Sequence, residues 1–435
     1  MANKNSSNVV AIITMMFLFG MISFVTNLAA PIGVIWKQAP GIEGSNTLGM
    51  MGNMMNFLAY LFMGVPAGRL LLKIGYKKTA LLAIAIGFFG VLIQYLSGKV
   101  LTGTLICGIS GNFFVYLLGA FVAGFSVCTL NTVVNPMLNL LGGGGSRGNQ
   151  YVQIGGTFNS LMGTITPMLV GALIGSVTKD TVIADVNPVL YIAMGVFLAA
   201  YIILSFIPIA DPEQVASDGE IISPWKFRHF VLGVIAIFVY VGVEVGIPGT
   251  LNFYLSDPTS GAGLDPATAA TIAGFVAGTY WLLMLCGRFI SSLISGKVSS
   301  KVQLSAVSAV GFVLIILAII LGASSHVSMP VFTGSGFGIV KVPIAALLLV
   351  LCGLCTSIMW GSIFNLAVEG LGSATSMASG YFMMMVVGGG IIPLVQNAIA
   401  DATTHLTSYW LIAACVAYIF CFAAFGSKVT KPSGK

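Results

Sequence analysis

Along the chain, apolar runs of about twenty residues or more alternate with short polar breaks. Charges and turn residues mark twelve such runs, over about 9–35, 47–72, 79–97, 112–141, 150–176, 187–210, 228–255, 267–295, 302–322, 339–367, 374–400 and 405–426. Each has the roughly 20 residues that an α-helix needs to cross a bilayer core, with an excess that tilting absorbs. The pattern predicts an all-α membrane protein of twelve transmembrane helices. The longest polar segment carries Asp211, Glu213, Asp218, Glu220, Lys226 and Arg228. It reads as a cytoplasmic linker (211–227) between two six-helix bundles, 1–210 and 228–435.

Composition agrees with this reading. Of 435 residues, 57% are hydrophobic and 7% charged, against about 25% charged in a soluble protein. The net charge of +6 calls for no nucleic acid, because its distribution fits membrane topology. With both termini in the cytoplasm, fourteen of the 18 Lys and Arg lie on the inner side; Lys37, Lys99, Lys179 and Lys341 lie outside. That asymmetry follows the positive-inside rule and is expected of a bacterial inner-membrane protein. No charge occurs between Lys4 and Lys37, so the first run reads as an uncleaved helix. The seven cysteines are scattered along apolar runs and suggest neither a disulfide framework nor a metal site. No paired acids, His cluster or Ser–His pair occurs at membrane depth, which argues against an enzyme and calls for no cofactor.

One charge breaks the pattern. Glu244 lies near the middle of span seven, where a carboxylate costs roughly 2.5–3.5 kcal/mol on insertion scales and marks a pathway or relay. Pro248, four residues on, removes the hydrogen bond to the Glu244 carbonyl. A carboxylate beside a freed carbonyl can exchange a proton or hold Na⁺. Span one carries the same device, Asn27 four residues before Pro31. Further correspondences follow about half a chain apart: Gly68-Arg69 with Gly287-Arg288, Asn135 with Asn365, and Phe158 with Phe382. They argue for a duplicated six-helix unit, with a site at the bilayer midplane between the halves. Glu244 and Asn27 are then expected to face one another there.

Several other polar residues fall inside apolar spans. Asn27, Asn131, Asn135, Asn159 and Asn365 offer donors and acceptors suited to a polyol, and Gln153 and Gln396 are weaker candidates of the same kind. Tyr280 and Trp281, and with lower odds Trp360, could stack on a sugar ring. Each has a plainer reading: interhelical hydrogen bonding for the amides, interface anchoring for the aromatics. Gly68, Arg69, Lys73 and Arg288 read as a cytoplasmic gate and topology anchor.

Gly64 to Lys78, Asn131-Thr-Val-Val-Asn-Pro136, Thr157-Phe-Asn159, Tyr240 to Val245, Tyr280-Trp281 with Gly287-Arg-Phe289, and Phe364 to Gly372 with Val387 to Pro393 carry a family resemblance. Together they resemble the fucose permease-like branch of the major facilitator superfamily, the fucose–galactose–glucose symporters. The resemblance implies two pseudo-symmetric six-helix halves and import of a monosaccharide or related polyol by alternating access, coupled to H⁺ or Na⁺. Fucose permease carries acids where this chain has Asn27 and Asn131, so the resemblance leaves the coupling ion open. Facilitated uniport, or export of amphipathic compounds, are the alternatives.

Overall fold

The computed structural model describes residues 2–141, 145–175, 177–178, 180–207, 223–294, 298–322, 324–333, 336–371 and 374–429. Twelve helical spans are long and apolar enough to cross a membrane. The first half of the chain supplies α1 (Ala2–Trp36), α2 (Asn46–Gly49) with α3 (Met51–Ile74), α4 (Tyr76–Leu96), α5 (Gly111–Leu141), α6 (Gly145–Ile174) and α7 (Asn187–Phe206). The second supplies α8 (Arg228–Ser256), α9 (Ala269–Ile294), α10 (Ser300–Leu321), α11 (Ile344–Thr356) with α12 (Met359–Val368), α13 (Thr375–Met385) with α14 (Gly388–Ala402), and α15 (His405–Cys421). The expected linker 211–227 falls largely outside the described residues, as do Gly372 and Lys179.

Two β-hairpins qualify the all-α expectation. β1 (Leu105–Ile106) pairs with β2 (Ile109–Ser110), and β3 (His326–Phe332) with β4 (Phe337–Pro343), both antiparallel. The tenth span therefore begins at Ile344 rather than near 339. Phe337, Ile339 and Lys341 are exposed while Val342 is buried, a half-buried alternation that suits a strand. Both hairpins follow odd-numbered spans, so they share one end of the bundle, the hairpin end. The opposite, basic end carries Arg69 and Lys73, both exposed.

The prolines of spans one and seven lie inside continuous helices. α1 runs through Pro31 and α8 through Pro248. The interruptions fall instead in spans ten and eleven, at Ser357–Ile358 and at Val386–Val387. In span eleven, Val386 N–H bonds Met383 O and Val387 N–H bonds Met384 O, the tighter i→i+3 pattern. Gly388 follows directly. A Cβ there would overlap the Phe238 carbonyl, so only glycine allows α14 to press against α8.

The halves meet along two seams. α6 packs on α9, with Thr271 Oγ1 donating to Gly171 O at 2.9 Å. α3 packs on α13 and α14. Pro393 cannot donate to the Gly389 carbonyl; Asn53 Nδ2 of the opposite half donates to it instead, at 2.8 Å.

Candidate functional site

Glu244 lies mid-way along α8, 14% exposed, on the seam between the halves. Its charge partner is Arg288 of α9, with Nη2 3.7 Å from Oε1. That separation is an ion pair but exceeds hydrogen-bond reach. The guanidinium is anchored elsewhere: Nη1 donates to Gly156 O of α6 at 2.6 Å. Arg288 thus joins the carboxylate of the second half to the backbone of the first. This corrects the expectation that Arg288 is a cytoplasmic anchor like Arg69. Its long side chain reaches a buried acid, whereas Arg69 extends into open surroundings at the basic end and Gly68 has nothing packed near it. Asn27 makes no described bond to Glu244. Asn27 Nδ2 stays on its own helix, donating to Ser23 O at 2.9 Å and Ser23 Oγ at 3.1 Å.

The other amides of the first half follow the same rule. Asn131 Nδ2 donates to Tyr60 Oη at 2.7 Å, Asn135 Nδ2 to Asn131 O at 3.0 Å, and Asn159 Nδ2 to Phe19 O at 3.0 Å. All four are half-buried. Among the described hydrogen bonds, each commits at least one amide N–H within its own half and leaves its carbonyl oxygen unused. The side chain of Gln153 lies outside the described residues.

In the second half the sequence expectations divide. Trp360 is half-buried and tilted against Tyr240, with ring centroids 6.2 Å apart. Tyr280 is fully buried, its hydroxyl 2.9 Å from Thr356 Oγ1; it braces α9 against α11 and faces no cavity. Trp281 is 6% exposed and packs where a Gly163 side chain would otherwise stand. Gln396 has no exposure and lies against Gly246 and Ile412, both side-chain polar atoms unpartnered. Asn365 is exposed, in a cleft of about 800 Å³ at the basic end lined also by Lys301, Glu369 and Lys428. Of these five, Trp281, Gln396 and Asn365 make no described contact with Glu244.

Sequence reasoning missed two members of the site. Tyr240, one turn before Glu244, is fully buried and donates to Thr356 O at 3.2 Å. Thr356 ends α11 at the helix break, where its carbonyl is free to accept. Ser357 next to it donates to Leu354 O. No proline or paired glycine marks this interruption, so the sequence carried no signal for it.

The arrangement therefore comprises an ion pair within the second half whose arginine also bonds the backbone of the first, a wall of amide acceptors, one half-buried tryptophan and two broken helices. Among the described residues, no group of His, Cys, Asp or Glu could hold a metal ion.

Comparisons with known proteins bear on the family and the fold. The family model described as Major Facilitator Superfamily matches residues 11–393. A Brucella abortus protein named glucose/galactose transporter is 30% identical over 426 residues, covering 96% of this chain and 94% of its own. The Escherichia coli L-fucose-proton symporter is 24% identical over 403 residues, covering 86% and 83%. The crystal structure of an E. coli fucose:proton symporter superposes with a TM-score of 0.66 at 20% identity, covering 97% of this chain and 99% of that one, which is a likeness of fold. The chain, a multi-pass membrane protein of twelve spans, belongs to the Major Facilitator Superfamily.

Proposed function

We propose that this protein imports a monosaccharide or closely related polyol by alternating access, coupled to a proton at Glu244. It would lie in a bacterial inner membrane, with both termini inside and the hairpin end outside. The names of the relatives support the substrate class and the proton. The distribution of basic residues supports the orientation.

The observation that carries the coupling is the Glu244–Arg288–Gly156 link. While Glu244 is ionised, Arg288 is neutralised in place. A proton on Glu244 removes that partner and leaves a guanidinium, with several N–H donors, short of acceptors. Sugar hydroxyl oxygens supply them. A sugar on Arg288 in turn competes with the carboxylate and favours its protonated form. Each ligand raises the affinity of the other by the same factor, which is the linkage a symporter needs. Na⁺ at Glu244 would need several oxygen ligands beside a guanidinium, whereas a proton needs only the carboxylate, and the name of the E. coli relative supports the proton. On the facing wall, the unused oxygens of Asn27, Asn131, Asn135 and Asn159 accept from sugar hydroxyls, and Trp360 offers a ring face.

The test is uptake of a sugar panel into proteoliposomes under an imposed pH gradient. Accumulation driven by acid outside is expected, together with loss of accumulation but retention of sugar binding in Glu244→Gln. Gradient-driven accumulation at parental level in that variant would reject the role of Glu244. Accumulation driven only by Na⁺ would reject the proton.

A further inference from the structure

The hairpin end contains a second polar constellation, remote from Glu244 and built across the seam. Asp401, at the last turn of α14, receives four hydrogen bonds from the opposite half. Asn46 N–H reaches Oδ1 at 2.7 Å; Thr47 N–H, Thr47 Oγ1 and Ser45 Oγ reach Oδ2 at 2.8, 2.6 and 3.2 Å. Beneath it, Lys37 is 8% exposed and donates to Asn46 Oδ1 at 2.6 Å. Its Nζ lies 4.0 Å from Asp257 Oδ2 and 5.1 Å from the centre of the Phe253 ring, both on the second half. His405 Nε2 approaches the same Asn46 oxygen at 3.1 Å. Burial pushes the Lys37 ammonium below the ordinary lysine range, against the opposing pull of Asp257 and Asp401.

Two features separate this cluster from ordinary loop capping. Residues 45–47 meet a carboxylate more than 350 positions away in the chain. The apolar packing directly below is equally tight: a Cβ on Gly33 would overlap both the Gly49 carbonyl and the Phe253 ring. Opening this end requires α1, α2 and α3 to leave α8 and α14. All four bonds to Asp401 and the Lys37 contacts to the second half must then break together.

We infer that Asp401 and Lys37 form a latch that holds the hairpin end closed and sets the balance between the two alternating-access states. The inference rests on the alternating-access reading but not on the identity of the substrate or the ion. Asp401 lies on the rim, where water screens its charge. Lys37 is buried, so losing its partners costs more per contact. Weakening the latch favours the state open at the hairpin end. It also raises the apparent affinity for substrate arriving from that side, in proportion to the competent fraction.

The experiment uses the full chain in nanodiscs, with Cys107, Cys286 and Cys421 changed to Ser and spin labels at Thr102→Cys and Ala267→Cys. These exposed positions lie on opposite halves at the hairpin end. Pulsed electron resonance reads the distance between them. The parent is expected to show mainly a short distance. Asp401→Asn is expected to shift the long-to-short ratio on the order of tenfold, the factor for one lost charge-assisted hydrogen bond. Lys37→Gln is expected to shift it in the same direction. Thr47→Val, which keeps the backbone donors, is expected to give a smaller shift of the same sign and serves if either charge variant fails to fold. The Asp401→Asn shift should persist in Glu244→Gln, because the latch acts without the ion pair. Unchanged distances in Asp401→Asn and Lys37→Gln, or in Thr47→Val where those do not fold, would overturn the latch. The measurement needs neither sugar nor gradient, so its failure is distinguishable from failure of the transport reading.

Discussion

The two halves repeat one plan but handle polarity in opposite ways. In the first, spans four and five are the single helices α5 and α6, and the polar groups at mid-depth are neutral amides that each commit an N–H at home. In the second, the corresponding spans ten and eleven are each broken in two, and the seam carries the Glu244–Arg288 pair. A continuous helix with satisfied donors is a stiff wall that fixes acceptor positions. A broken helix has free backbone groups and can bend without losing a full ladder of hydrogen bonds. On the proposed reading, the first half contributes fixed acceptors and the second contributes the charge and the places that bend. Arg69 and Arg288 make the same point: repeat mates in sequence, one stands exposed at the basic end and the other is paired inside.

The sharpest way to break this division is to strip the charge from the second half. Arg288→Ala leaves Glu244 buried without a partner and is expected to destabilise the protein by about 3–5 kcal/mol, read as a fall in thermal midpoint. Arg288→Gln combined with Glu244→Gln is expected to recover most of that stability while remaining unable to accumulate sugar. A double variant as unstable as Arg288→Ala would show that the arginine acts through packing rather than charge. Next in size, Gly388→Val places a side chain on the Phe238 carbonyl and is expected to cut transport rate and stability together. A parental rate would show that the α14–α8 approach is dispensable. Smaller effects are expected on the recognition side. Asn135→Ala or Asn159→Ala should weaken sugar binding by about 1 kcal/mol, some fivefold in apparent affinity, without altering the proton requirement. A change in pH dependence there would move coupling into the first half. Smallest of all, Asn365→Ala is expected to leave affinity unchanged, and Gln396→Met to be neutral or slightly stabilising because it removes two unpartnered buried groups.

The twelve spans were legible because a bilayer imposes one length and one polarity on every crossing segment. The hairpin β3–β4 was not, since 339–343 is apolar apart from Lys341, runs directly into the helix that follows, and hydropathy alone does not separate strand from helix. Glu244 stood out because it is an acid at mid-depth. Its partner was hidden: an arginine after a glycine near a helix end looks like a topology anchor, and the reach of its side chain is not written in spacing. Tyr280 and Gln396 were misplaced for a related reason. A polar residue inside an apolar span must be satisfied or enclosed, and sequence does not say whether the neighbour is a cavity or another helix. The latch stayed unread because Asp401 and Lys37 sit at helix ends, where charge is ordinary.

The inward-turned amide hydrogens of the first half have a consequence for discrimination. A wall whose amide oxygens are all open, while at least one N–H of each amide is already committed, reads chiefly the hydrogens of its guest. A ligand whose hydroxyl is exchanged for fluorine keeps its size and ring shape but has no hydrogen to give, and it would meet this wall as repulsion. Such fluorinated analogues, taken one ring position at a time, would map which side of the guest lies against which half.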